Sequence, residues 1–224
     1  MQKKQLQPEN KTKKYKTAHR NPAKTAREQE VKRTKLILGC TIVAIVLVIF
    51  LAVFLPRTAS KTKPQGHLID VNNDVLQYAD AVETECKKQG IPEFSTLLLA
   101  LIQQESSGQG TDIFQCSESP FNTQFENIPG SITDVNYSIQ VGVETFVYCL
   151  DVADCDSLRD TEGVKLALQE YNFGNNYAVW AMENYGGYSL ESTYAFSEMM
   201  KAQLGWNTYG DPEYVDHVLR YFQL

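Results

Sequence analysis

The sequence predicts an all-α, mostly helical domain set behind a single apolar span, and three observations carry that prediction. From about Leu68 to Leu224, apolar residues recur at three- and four-residue spacing in one segment after another, the period of helices that bury one face. Runs that alternate apolar and polar residues, as half-buried strands do, are scarce. Ahead of that domain, Leu36 to Leu55 carries no charge. As a helix rising about 1.5 Å per residue it would be about 30 Å long, the hydrocarbon thickness of a bilayer.

Met1 to Lys35 is basic and polar, with 12 Lys or Arg against the three acids Glu9, Glu28 and Glu30. It has almost nothing to bury and is expected to be disordered. A basic tail can bind nucleic acid, but the adjacent apolar span explains the charge better. Positive charge concentrated before the span, with only Arg57, Lys61 and Lys63 just after it, puts the N-terminus in the cytoplasm and the domain outside, on a single-pass anchor. The rival is a cleaved signal peptide ending near Thr58-Ala59-Ser60, although its apolar part would be shorter, about 7–15 residues. Cys40 opens the apolar run instead of ending it, which argues against a lipoprotein site. Pro56 to His67 reads as a polar linker.

Within the domain, Val75, Ala79, Val82 and Cys86 trace one face of a first helix ending near Gly90. Pro92 suits the first position of a second, on which Phe94, Leu98, Leu101, Ile102 and Glu105 share a face. A Pro129-Gly130 turn precedes a third, marked by Ile139, Val143, Phe146 and Leu150 and capped by Asp134. Val164, Leu168 and Tyr171 mark a fourth that stops at Gly174. Asn176 to Asn184 and Ser189 to Leu204 give two more, parted by Gly186-Gly187, and Asp211-Pro212 opens the last. The stretch from Asp112 to Asn127 is expected to form a short hairpin.

Charge narrows the partners. The domain holds six basic residues against 24 acidic ones, a net of −18. Such a surface repels the phosphates that supply most non-specific affinity for nucleic acid, and charge attraction to an anionic membrane or wall polymer is disfavoured too. Cys86, Cys116, Cys149 and Cys155 lie in the part placed outside, where disulfides persist. Three pairings are open; one joins Cys149 to Cys155 and leaves Cys86 to meet Cys116. No cysteine spacing suits zinc, and His19, His67 and His217 lie far apart, so no metal and no cofactor are expected. A Cys116–His217 nucleophile pair has no evident residue to orient its imidazole.

Glu105 is the stronger chemical candidate. It ends an apolar helix on the face that points inward, just before Ser106, Ser107, Gly108 and Gly110 break the helix. Loss of solvation raises a carboxyl's pKa, and the negative end of the helix dipole acts the same way. An acid still protonated near neutral pH is what general acid catalysis requires. The plainer reading is a glutamate reaching water at a frayed helix end. Asp112, seven residues on, is positioned by a glycine-rich loop to supply a second carboxylate. Gln115, Tyr171 and Asn172 offer the amides and flat faces that sugars use, although Tyr171 also suits a core face and Asn172 a helix end. Glu118 is a reserve carboxylate or a solvated loop acid.

Glu105-Ser106-Ser107, Ile113-Phe114-Gln115 and Tyr171-Asn172-Phe173-Gly174 occur in that order. Together they resemble the pattern of soluble lytic transglycosylases and goose-type lysozymes, whose catalytic glutamate, Met-Gln segment and Tyr-Asn pair surround a glycan cleft. The run Gly110 to Gln115, Ser117-Glu118-Ser119, Tyr171 to Asn176, Asn184 to Tyr188 and His217 to Tyr221 resemble more closely the bacterial lysozyme-like family. That family includes pneumococcal vaccine antigen A and the muramidase domain of wall hydrolases carried by conjugative elements. The resemblance implies a lysozyme-like fold that cuts peptidoglycan between N-acetylmuramic acid and N-acetylglucosamine. It makes Glu105 the general acid, Asp112 the second carboxylate, and Gln115, Ser117, Glu118, Tyr171 and Asn172 contacts to the glycan strand. It also implies local wall opening, with proteins of a conjugation machine as possible partners. Those hydrolases usually add a C-terminal endopeptidase domain, which the sequence to Leu224 does not hold. Cys116 stands where a small residue such as Ala or Ser is expected.

Overall fold

A computed structural model of the chain describes residues 66–224. The basic tail, the apolar span 36–55 and most of the linker lie outside the described residues. The helices are α1 (Asn73–Leu76), α2 (Ala79–Lys88), α3 (Ser95–Glu105), α4 (Val135–Val152), α5 (Thr161–Phe173), α6 (Tyr177–Tyr185), α7 (Leu190–Leu204) and α8 (Tyr214–Leu219). Two short strands, β1 (His67–Leu68) and β2 (Phe222–Gln223), pair antiparallel with Leu68 opposite Phe222. Among the described residues no helix is long and apolar enough to cross a membrane.

The centre of the domain is α3. Every residue from Leu97 to Ile102 is buried, so this helix is apolar all round and needs neighbours on every side. It finds them in α1, α2, α8 and β1. Pro92–Phe94 form a 3-10 turn that leads into it. On the far side α4 packs along α5, and Phe146 of α4 meets Phe94 edge-on at 6.0 Å. The same core continues between α5, α6 and α7, with Phe173 stacked on Phe196 at 5.4 Å and Tyr177 edge-on to Phe196 at 5.2 Å.

The ends of the helices follow the capping chemistry of the sequence. Asp134 accepts from the backbone N–H of Asn136 at 2.8 Å and starts α4. Gly174, at φ 61°, ends α5. Ser189 and Ser192 form a reciprocal capping box at the start of α7, and Gly186 in the left-handed region ends α6.

Four expectations are corrected. The first helix is two, because Tyr78 closes a turn onto Val75 at 3.0 Å, while Asn72 anchors α1 to Gln103 of α3 at 2.9 Å. The last helix begins at Tyr214, since Asp211 spends its carbonyl and carboxylate on a preceding turn, accepting from Tyr214 and Glu213. The stretch 112–127 contains no strand; tight backbone turns and side chains rather than a ladder satisfy its backbone. The four cysteines are separate buried thiols. The Cys155 thiol instead faces the Ser157 carbonyl at 3.6 Å, and burial pushes Cys86 up to about 12 and Cys155 up to about 11.

Candidate active site

The site begins where α3 ends. Glu105 is its last residue and is half-buried. The buried Tyr214 of α8 donates its phenolic hydrogen to Glu105 Oε1. Oε2 takes no protein hydrogen bond among the described residues and is not enclosed. Burial pushes the carboxyl up to about 7; the Tyr214 hydrogen bond acts downward, and the negative charges of Asp112 and Asp211 push further upward. Near neutral pH a substantial fraction of this carboxyl therefore keeps its proton.

The loop after α3 is held at several points. Ser106 donates from its hydroxyl to the Ile113 carbonyl at 2.8 Å, and Thr111 to the Ile132 carbonyl at 2.8 Å. Tyr171 of α5 donates to the Phe114 carbonyl at 2.8 Å. The Phe114 ring lies against Gly142 of α4, where a Cβ would meet it at 2.2 Å.

Asp112 is the hub of that loop. It is 4% exposed. Its Oδ1 accepts from the Cys116 N–H at 3.1 Å and the Ser138 hydroxyl at 2.9 Å. Its Oδ2 accepts from the Ser117 N–H at 3.0 Å and the Ser117 hydroxyl at 2.5 Å. A carboxylate has about four acceptor positions; these four donors and, more loosely, the Cys116 thiol at 3.5 Å from Oδ1 occupy them. Asp112 thus acts on Glu105 through its charge while its oxygens stay committed to the loop.

The other candidate residues divide. Gln115 is exposed, sits in the left-handed region at φ 48°, and donates to the Asp112 carbonyl at 2.8 Å. Gln115, Glu118, Tyr171 and Asn172 line a cleft of about 900 Å³, together with Tyr148, Trp206 and Tyr209. Glu105 does not line this cavity, although its charge is felt at Tyr171. Asn172 accepts the Asp211 N–H at 2.6 Å and so ties the loop after α7 to α5. Ser117 departs from its expected place: it is 1% exposed, and its hydroxyl also accepts the Ile132 N–H at 3.1 Å, so it braces the loop from within. Cys116 and His217 are not paired. His217 Nδ1 faces Asp211 Oδ2 at 2.5 Å, and burial pushes the Cys116 thiol far up.

Two residues of the site escaped sequence reasoning. Tyr214 reaches Glu105 from 109 residues away, and nothing local marks it apart from other core aromatics. Glu170 is 1% exposed and lines the cleft. Its carboxylate accepts the N–H groups of Asn176 at 3.2 Å and Ala178 at 2.9 Å. That contact holds the turn in which Gly174, Asn175 and Asn176 all adopt positive φ. An acid on a buried helix face four residues before a glycine was the available signal.

Known proteins give this geometry a context. Residues 72–222 match the Lysozyme-like family model. The chain is 35% identical over 153 residues to the bifunctional muramidase/DL-endopeptidase CwlT of Bacillus subtilis, covering 68% of this chain and 43% of that protein. It is 30% identical to a pneumococcal vaccine antigen A homolog of Streptococcus pyogenes serotype M1, over 65% of this chain and 68% of the relative. An uncharacterized membrane protein of B. subtilis, YocA, is 31% identical over 58% of this chain and 56% of its own length. The chain thus spans about half the length of CwlT and of YocA. Among solved structures, a protein of Staphylococcus aureus similar to lipoprotein of the NLP/P60 family superposes with a TM-score of 0.57 at 26% identity, over 68% of this chain and 54% of that one. A mostly helical domain matched by the family model from end to end makes this chain a member of the bacterial lysozyme-like family.

Proposed function

We propose that the chain is a membrane-anchored peptidoglycan hydrolase in which Glu105 is the general acid. The observation that carries this reading is the carboxyl of Glu105, pushed up to about 7 by burial with one oxygen left open. In the reaction, Glu105 protonates the glycosidic oxygen between N-acetylmuramic acid and N-acetylglucosamine, and that C–O bond breaks as positive charge develops on the sugar. The carboxylate left behind takes a proton from the incoming nucleophile, restoring the acid. Gln115, Glu118, Tyr171 and Asn172 supply the glycan contacts along the cleft. The proposed organisation is a cytoplasmic tail 1–35, a membrane helix 36–55, a linker 56–67 and an extracellular domain 68–224 facing the wall. Such an enzyme would open the wall locally, as a conjugation machine requires.

The saturated carboxylate of Asp112 favours a second form of the same chemistry. With its oxygens committed to Cys116, Ser117 and Ser138, Asp112 serves the reaction by holding the loop and by raising Glu105. The nucleophile is then water activated by Glu105 itself, or the muramoyl C6 hydroxyl, which closes an anhydro ring as in a lytic transglycosylase. End-group analysis decides between them. The full chain is incubated with purified peptidoglycan and the released sugars are identified by mass spectrometry. Reducing N-acetylmuramic ends support the hydrolase and anhydro ends the transglycosylase. Retained binding with no release would leave a wall-binding scaffold.

A further inference from the structure

The glycan cleft does not stop at the turn between α5 and α6. Asn175 and Asn176 line it, and on their other side they line a second groove of about 370 Å³ between α6 and α7. The floor of this groove is Phe196 and Met200, both buried. Val179 and Met199 form its exposed walls, and Trp180 stands half-buried beside Phe196 at 5.1 Å. Glu183 is the one ionisable side chain that lines it. The turn between the two cavities is rigidly built, since the buried carboxylate of Glu170 holds the N–H groups of Asn176 and Ala178.

We infer that this groove is a subsite for the peptide stem of peptidoglycan. The inference rests on the peptidoglycan reading of the cleft and extends it from the glycan to the peptide that branches from each muramic acid. Because Asn175 and Asn176 line both cavities, a branch from a strand in the cleft has a route into the groove at that wall. The chemistry of the groove fits a short peptide of alanines and one diamino acid. Methionine side chains adapt to small methyl groups, and asparagine amides can pair with backbone amides. The lone carboxylate of Glu183 suits the free amine of the diamino acid. No cation lines the groove, and the domain carries a net −18, so an anionic wall polymer is not a suitable occupant.

The chain has two tryptophans, Trp180 in the groove and Trp206 in the cleft. Replacing the exposed Trp206 by Phe makes Trp180 the sole reporter. The probe is the stem peptide L-alanyl-D-isoglutaminyl-L-lysyl-D-alanine, titrated into the full-length Trp206→Phe chain. The expected result is a saturable change in tryptophan emission, weakened about tenfold when Glu183→Lys is added. Glu183 is exposed, so this variant is expected to fold. An unchanged Trp180 signal up to millimolar peptide, or an equal response from the Glu183→Lys protein, overturns the subsite. No cleavage is needed for this titration, so the two ideas fail separately. Cleaved glycan without a peptide response removes the subsite alone, and a peptide response without cleavage removes the acid assignment alone.

Discussion

At Glu105 the competing effects are a buried setting that favours the neutral acid and a phenol that favours the anion. Removing the phenol should therefore strengthen the acid's hold on its proton. Tyr214→Phe is expected to move the alkaline limb of the pH–rate profile above the wild-type midpoint near 7, as read from kcat/KM across pH 5–9. A limb that stays in place or moves down would contradict the role given to Tyr214. Stability gives a second readout. A carboxyl raised from about 4.5 to about 7 in the folded state contributes fully below pH 4.5 and loses that contribution as pH rises through 7. Glu105→Gln should match the wild type near pH 4 and exceed it at pH 8–9, by roughly 1–2 kcal/mol once solvent screening is allowed for. Thermal melts at both pH values check this. Asp112→Asn replaces acceptor lone pairs with N–H groups facing the donors of Ser117, so roughly 1–3 kcal/mol of stability should be lost along with activity, measurable by denaturant unfolding. At this scale the sequence was legible where neighbours decide the outcome. Glu105 was readable because helical period and a following glycine loop placed it. Ser117, Tyr214 and the committed oxygens of Asp112 were not, because each depends on which side chain arrives from a distant segment.

Among the elements, legibility followed the strength of the local signal. Asp134, Gly174, Gly186 and Ser189 each act as the sequence indicates, because capping is settled within one turn of chain. The β1–β2 pair was invisible, since two-residue strands carry no period and their ends lie at the two extremes of the domain. The predicted hairpin failed for a related reason: apolar residues such as Phe114 and Phe121 serve a loop packed on α4 and α5. That packing makes a test at the level of the element. Gly142→Ala puts a methyl into the Phe114 ring and should destabilise the domain by about 1–3 kcal/mol through overpacking. Because Phe114 sits in the loop that follows Glu105, activity should fall by more than the folded fraction does. Parallel activity and circular dichroism melts separate the two effects.

Across the whole molecule, the features fit a protein that works on an uncharged polymer backbone. The strongly acidic domain does not favour an anionic partner, and its cleft is lined by amides, phenols and an indole beside the carboxylates of Glu118 and Glu170. The family match over residues 72–222 and the raised acid at the end of the central helix both support the central proposal, glycoside chemistry at Glu105. The most direct test compares the rate at which the full wild-type chain and its Glu105→Gln variant release soluble sugar from purified peptidoglycan at pH 6. Loss of a general acid is expected to slow release by about 10²–10⁴-fold while strand binding persists. Equal release by the two proteins would contradict the account.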